Sequence, residues 1–250
     1  MLDAGFLDER RKELLWRVGI AVALAALAWS LRDLKWSVVW NAAPFLLRAL
    51  GVSWLLTILS VAIGMVAGIL LAALRLRGPP GLRHLAVGYI ELIRATPQIM
   101  VIFWVFFSAT PLTGVRLTAW PAAIIALSMI ASAYLAEVIR AGLLSVPKIQ
   151  HESAWSTGLS PIQAFVHVAL PQALRNMVPA LIAHIVMMFK ITSLVYVIGL
   201  IDFFRATILV NNREFAPYEL YVTMAAVYFV CCGALSLLVR RMDPKYTLQS

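Results

Sequence analysis

Lys190 stands inside the apolar stretch 176–201, about 14 residues from its start, or roughly 21 Å along a helix at the usual rise. An ammonium group that deep in hydrocarbon is costly unless it meets water or a partner, so by default it marks a route for a polar solute, with a purely structural lysine as the alternative. Thr192, Ser193 and Tyr196 follow within two turns, Ser193 on the flank of Lys190, and their hydroxyls suit the carboxylate of a zwitterion. His184 reads more readily as a hydrogen-bonded residue between helices than as a ligand. Two further pairs, Glu91 with Arg94 and Glu137 with Arg140, are each spaced three apart. Each can share a helix face and neutralise itself near the end of an apolar segment; the other reading is an inner gate whose ion pairs rearrange. Pro97, directly after Thr96, removes a backbone hydrogen bond and is expected to kink its segment into a hinge.

None of these groups forms a catalytic set. The chain has no H-E-x-x-H, no G-x-S-x-G, no pair of intramembrane aspartates and no G-x-x-x-x-G-K-[ST] phosphate loop. It is read as a non-catalytic subunit that binds no metal or other cofactor of its own.

A different kind of chemistry is written in residues 147–171. Pro147 suits a first helical position, 148–157 can form about three turns, and Gly158 can take the left-handed conformation that closes them. Ser160 can cap a second helix with Pro161 at its first position, over 162–169, until Leu170-Pro171 turns the chain away. A short exposed helix is marginal alone in water and wants a partner. Glu152 and Trp155, three apart on one face, suit a groove with basic and apolar walls. An ordinary helix lying on the lipid surface is the alternative.

The elements that must carry these groups are membrane spans. Hydrophobic residues make up 62% of 250 and charged residues 13%, with a mean hydropathy of +0.87; soluble chains carry about 25% charged residues. The uncharged runs 49–74, 95–115, 117–136 and 220–239 each suffice to cross a bilayer, 176–201 makes a fifth span and 18–31 a shorter sixth flanked by Trp16 and Trp29. The first span resembles a cleaved signal, but acidic residues Asp3, Asp8, Glu9 and Glu13 in a long leader fit a retained anchor. Adjacent Cys231 and Cys232 read as packing residues, since a disulfide between neighbours is strained and metal-ligand spacing is missing. Lys and Arg gather in the leader, after the second span (Arg75, Arg77, Arg83), in the insert (Lys148, Arg175) and in the tail, which places all four and both termini in the cytoplasm. Arg32, Lys35 and Arg48 oppose that bias. The net charge of +9 fits a surface facing anionic membrane lipid and calls for no nucleic acid.

Glu152-Ser153-Ala154-x3-Gly158-x9-Val168-x-Leu170-Pro171 resembles the E-A-A-x3-G-x9-I-x-L-P loop of type I ABC importer permeases, with Ser153 and Val168 as its two departures. Tyr89-Ile90-Glu91-Leu92-Ile93-Arg94-Ala95-Thr96-Pro97 resembles the Y-I-E-L-x-R-G-T-P signature of the polar amino acid branch, and Ser132–Glu137 and Lys190-x-Thr192-Ser193-Leu194 extend the likeness. The resemblance implies an all-α polytopic protein. Residues 1–44 would add a leader, an extra helix and a connector to a five-helix type I transmembrane domain at 45–241, followed by a tail at 242–250. It implies a permease subunit, half of a translocation pathway in a bacterial inner membrane, importing polar amino acids. The expected partners are a separate ABC ATPase carrying ATP and Mg, a periplasmic amino-acid-binding protein and a second permease of the same or a homologous kind. It assigns Glu152, Ala154, Trp155, Gly158, Leu170 and Pro171 to ATPase coupling. Ile191 stands where many relatives have Asp or Asn, which disfavours cationic substrates. Thr192–Tyr196 and Asp202–Arg205 are similar to glutamate/aspartate permeases, which points to an acidic or otherwise polar amino acid. Asp202–Arg205 is read either as a short periplasmic gate helix or as a solvated loop. A secondary transporter or channel remains the rival class, though it has no use for a protruding elbow and no inverted repeat is evident.

Overall fold

A computed structural model describes residues 12–22, 29, 32 and 34–246, with side chains omitted at 113 and 238–246. Among the described residues every regular element is helical. The first, α1, covers 12–22; the rest of the expected 18–31 span lies outside the described residues apart from Trp29. Then come α2 (Ser37–Arg77), α3 (Pro80–Ala95), α4 (Gln98–Thr113) and α5 (Ala119–Leu144). They are followed by α6 (Lys148–Ser156), α7 (Pro161–Ala164), α8 (Leu170–Ile191), α9 (Phe203–Glu214) and α10 (Pro217–Tyr246).

Helices α2, α5, α8 with its neighbours, and α10 are each long and apolar enough to cross a membrane, and α3 with α4 makes a fifth candidate. At 41 residues, α2 runs about 60 Å, twice a hydrocarbon core. Its buried residues Ser53, Thr57, Ser60, Gly64, Gly68 and Ala72 recur every three or four positions, a stripe of small side chains along one face. Lipid supplies no hydrophobic drive for helix association, so close backbone approach at small residues does that work. Accordingly α2 lies against the alanine-rich face of α5, where a Cβ on Gly64 would collide with Ala131 and one on Gly68 would press on Leu135 and Ala136.

Beyond this seam, Leu46 and Ala49 of α2 pack with Phe203, Ala206 and Val210 of α9 and Leu220 of α10. Ser53 Oγ accepts from the Phe203 amide at 3.1 Å, and Glu219 accepts from the Lys35 amide at 2.8 Å.

Two expectations change. The 95–115 run is not one kinked span: α3 and α4 meet at 110°. Thr96 ends α3, its amide and hydroxyl both turned back to the Leu92 carbonyl, and Pro97 begins a new helix because it has no N–H to continue the old one. The second elbow helix does not turn at Leu170-Pro171. It passes through a π-helical turn, Phe165–Ala169, straight into α8. That wider turn absorbs the proline, the Leu170 amide reaching back five residues to the Phe165 carbonyl. Of the two readings of Asp202–Arg205, the helix is the one observed: Asp202 caps α9, which runs 12 residues.

Candidate functional site

The elbow is built as its punctuation requires. Gly158 has φ +82°, its amide donates to the Trp155 carbonyl at 2.9 Å, and the Leu159 amide donates to Ala154 at 3.2 Å. These are the paired bonds of a Schellman closure, which needs a left-handed residue at this point. Ser160 and Gln163 then form a reciprocal capping box that starts α7. Ala154 of the first arm, Ala164 of the second and Ala169 of the π-turn are buried. Gln172 Nε2 also donates across to Gln150 Oε1 at 3.4 Å. The outer surface stays open: Trp155 is 54% exposed, Ile149 60% and Ile162 76%, with Glu152 exposed beside them. Of the six coupling candidates, Ala154 is inside the elbow, Gly158 forms its bend, Leu170 and Pro171 anchor its base, and Glu152 and Trp155 face outward.

The gate candidates converge on a residue the sequence reading counted only as a loop charge. Arg75, on the last turn of α2, is ion-paired with Glu137 of α5 and lies 3.6 Å from Glu91 of α3. Arg140 holds the other Glu137 oxygen at 3.0 Å, and Arg94 lies 3.9 Å from Glu91 and 5.7 Å from the Tyr134 ring. The two three-apart pairs therefore belong to a single five-membered network across three helices. Just above it, the Tyr89 hydroxyl meets Ser132 Oγ at 2.9 Å, and Ile90 packs with Ala72 and Ala136. The two sequence signatures thus face each other. The available signal for Arg75 was its place as the first charge after the long uncharged run 49–74.

The polar residues of segment five separate. Lys190 is exposed on a groove between α8 and α10. Thr192 is fully buried and donates to the Phe189 carbonyl at 2.8 Å. Ser193 Oγ donates to the Lys190 carbonyl at 2.7 Å. Tyr196, 37% exposed, lies 5.2 Å from the Phe204 ring, and its carbonyl accepts from Arg205 at 2.6 Å. They sit on a short 3₁₀ helix, Thr192–Ile198, closed by Gly199 at φ +89°. His184 is buried 6.0 Å from the Tyr134 ring, and its Nε2 has no hydrogen-bond partner among the described residues, contrary to the interhelical bond expected of it.

Asp202, wholly buried, caps α9 by accepting from the Phe204 and Arg205 amides. Burial pushes its carboxyl up from 3.8 to about 6, the two amide bonds opposing that rise.

A bundle of apolar helices sealed by small residues, with an ion-pair network near one end and an elbow offering apolar and acidic groups outward, is the architecture of a membrane permease. The chain belongs to the family of binding-protein-dependent transport system inner membrane components, whose family model matches residues 64–248. It is similar to the glutamate/aspartate import permease protein GltK of Escherichia coli O6:H1, 33% identical over 83% of this chain and 96% of that protein. The probable glutamine ABC transporter permease protein GlnP of Bacillus subtilis is 37% identical over 80% of this chain and 91% of its own. Among solved structures, a chain from the crystal structure of an amino acid ABC transporter with histidines superposes with a TM-score of 0.80 at 30% identity, covering 85% of this chain and 99% of that one. A chain of the MetNI methionine ABC transporter, at 18% identity and TM-score 0.61, shares the fold.

Proposed function

We propose that this chain is the permease subunit of an ATP-driven importer for polar amino acids, acidic ones foremost, and that the elbow at 147–171 seats it on a separate ATPase. The observation that carries the reading is the exposed apolar face of Ile149, Trp155 and Ile162 on a short helix closed at Gly158. A segment with so little core of its own holds a shape in water best when docked. The ATPase supplies ATP and Mg; this chain binds neither. A second permease of the same or a homologous kind completes the pathway, and a periplasmic amino-acid-binding protein delivers the substrate. Both termini and the elbow lie in the cytoplasm, in agreement with the Lys and Arg bias of the loops. The amino acid preference rests on the substrates named for GltK and GlnP.

Displacement of the elbow reaches the bundle because α7, the π-turn and α8 form one unbroken helical path from Pro161 to Ile198. A rigid element can carry a two-state shift of the motor into the membrane. Trp155→Ala, which removes an exposed ring and leaves the buried side of the elbow untouched, should abolish co-purification of the ATPase while membrane insertion stays normal. Retention of the ATPase by that variant, or labelling of a cysteine at exposed Ser156 by an impermeant reagent from the periplasmic side, would refute the proposal.

A further inference from the structure

Between α2, α5 and the start of α8 lies a groove of about 380 Å³, and every side chain lining it is apolar. Buried Ala72 and Met177 form its floor, and exposed Ile69, Ala73, Phe165 and Leu174 form its rim. Met177 is seated against Gly142, where an added Cβ would fall on its side chain. Along α8 the lining runs from Leu170 at the base of the elbow to Leu181, about 11 residues or roughly 16 Å, the depth of one leaflet.

Water finds no polar partner in such a place, so the occupant must be apolar. Helices that meet inside a membrane approach through small residues, as α2 and α5 do at Gly64 and Gly68. The rim here is mostly long or branched instead, and it continues along α2 into exposed Val66 and Leu70. That surface suits a fluid acyl chain better than a second helix. One turn beyond Ala73, on the same side of α2, stands Arg77, the last residue of the helix. It is exposed and has no ion pair among the described residues, whereas Arg75 is taken up by Glu137 and Glu91. A free guanidinium at the mouth of a leaflet-deep apolar groove is the complement of a phosphate carried on an acyl chain.

We propose that this groove holds an anionic phospholipid of the cytoplasmic leaflet, with one acyl chain between α2 and α8 and its headgroup phosphate on Arg77. Phe165 belongs to the π-turn that joins the elbow to α8, so the chain presses on the joint through which the elbow moves the bundle. The choice of leaflet and the effect on ATP hydrolysis rest on the importer reading; the groove and its arginine do not.

The test uses assembled complexes in nanodiscs of phosphatidylcholine, or of equal parts phosphatidylcholine and phosphatidylglycerol. Phosphatidylglycerol carrying a diazirine in its acyl chain should, on irradiation, label the peptides around Ile69 and Leu174 severalfold more than the peptide around Leu237, which is exposed on α10. The same diazirine on phosphatidylcholine should label the groove about fivefold less, the worth of one arginine to an anionic lipid at the surface. Arg77→Gln should remove that difference. Ala73→Phe, which sets a ring into the groove, should remove the groove labelling in both bilayers and, with it, the dependence of ATP hydrolysis on phosphatidylglycerol. Groove labelling no greater than at Leu237 would mean that no lipid is seated there or that the second subunit covers the groove, and overturns the proposal. A preference for phosphatidylglycerol that survives Arg77→Gln overturns the headgroup contact, and parent hydrolysis equally fast in both bilayers overturns the action on the elbow. A chain that recruits no ATPase would instead refute the importer reading, and labelling of the isolated subunit would still decide the lipid site.

Discussion

Arg75 and Glu137, 62 residues apart in sequence, join the last turn of α2 to the C-terminal half of α5, and both are largely shielded, at 21% and 17% side-chain exposure. Glu137 is shared with Arg140 and Arg75 is shared with Glu91, so the pair is the centre of the network and not one of its branches. A shift of α3 or α5 relative to α2 must break or exchange these contacts. That property is what an inner gate requires.

Arg75→Met should therefore lower the thermal stability of the purified subunit by about 1–3 kcal/mol, between the values typical of exposed and of buried pairs. Adding Glu137→Gln should cost less than it does in the parent chain, because its contact with Arg75 is already gone and only the one with Arg140 is left to lose. A double-mutant cycle with a coupling of about 1–2 kcal/mol is the expected result; strict additivity would show that the two residues do not act together.

At the elbow, Gly158→Val places a β-branched residue at φ +82°, a conformation costing an L-residue about 1–2 kcal/mol. No neighbour lies within 4 Å of the added Cβ, so the penalty is one of backbone and not of crowding. The variant should insert at parental levels yet recover far less ATPase on affinity purification. Gly158→Asn, which tolerates the left-handed region, should fall between the two. If Val and Asn behave alike, backbone strain is not what the glycine relieves.

Much of this elbow is legible in the sequence because its signals are local: a proline at each start, a glycine at the bend, and a serine three residues before a glutamine. The spans are legible for the same reason, since an uncharged run of sufficient length has few alternatives. What was not legible is long-range. Proline marks position 97 as a break, but whether a break becomes a shallow kink or a 110° corner depends on what α3 and α4 each pack against. Proline at 171 carries the same mark and ends no helix, because a π-turn takes up the missing bond. Arg75 reads as one of several positive loop residues until α5 is placed beside α2.

The seam between α2 and α5 makes a prediction about crowding. Gly64→Ala would drive its Cβ into Ala131 and the adjoining backbone, and neither can rotate away as a long side chain does. Overpacking of this kind costs about 1–3 kcal/mol. Gly88→Ala, where nothing lies within 4 Å, should be neutral or stabilising, since alanine favours helix over glycine. Unfolding of both variants in detergent, followed by circular dichroism, checks the contrast; equal stabilities would mean that the seam yields freely.

Asp202 supplies the pH test. Its carboxyl is raised from 3.8 to about 6 by burial, so between those values the folded chain holds a proton that the unfolded chain has released. Stability must then fall as pH rises through that window and level off above it, with the full span amounting to about 3 kcal/mol. Asp202→Asn keeps an oxygen for the Phe204 and Arg205 amides but cannot ionise, so its profile should be flatter between pH 4 and 6, and it should be the more stable chain at pH 7. Asp202→Ala loses the cap as well and should be less stable than Asp202→Asn by about 1 kcal/mol at every pH. Thermal unfolding of the three proteins across pH 4 to 8 distinguishes these outcomes. A parent profile that rises with pH through the window would mean that Asp202 is ionised and stabilised in the fold, contrary to its burial.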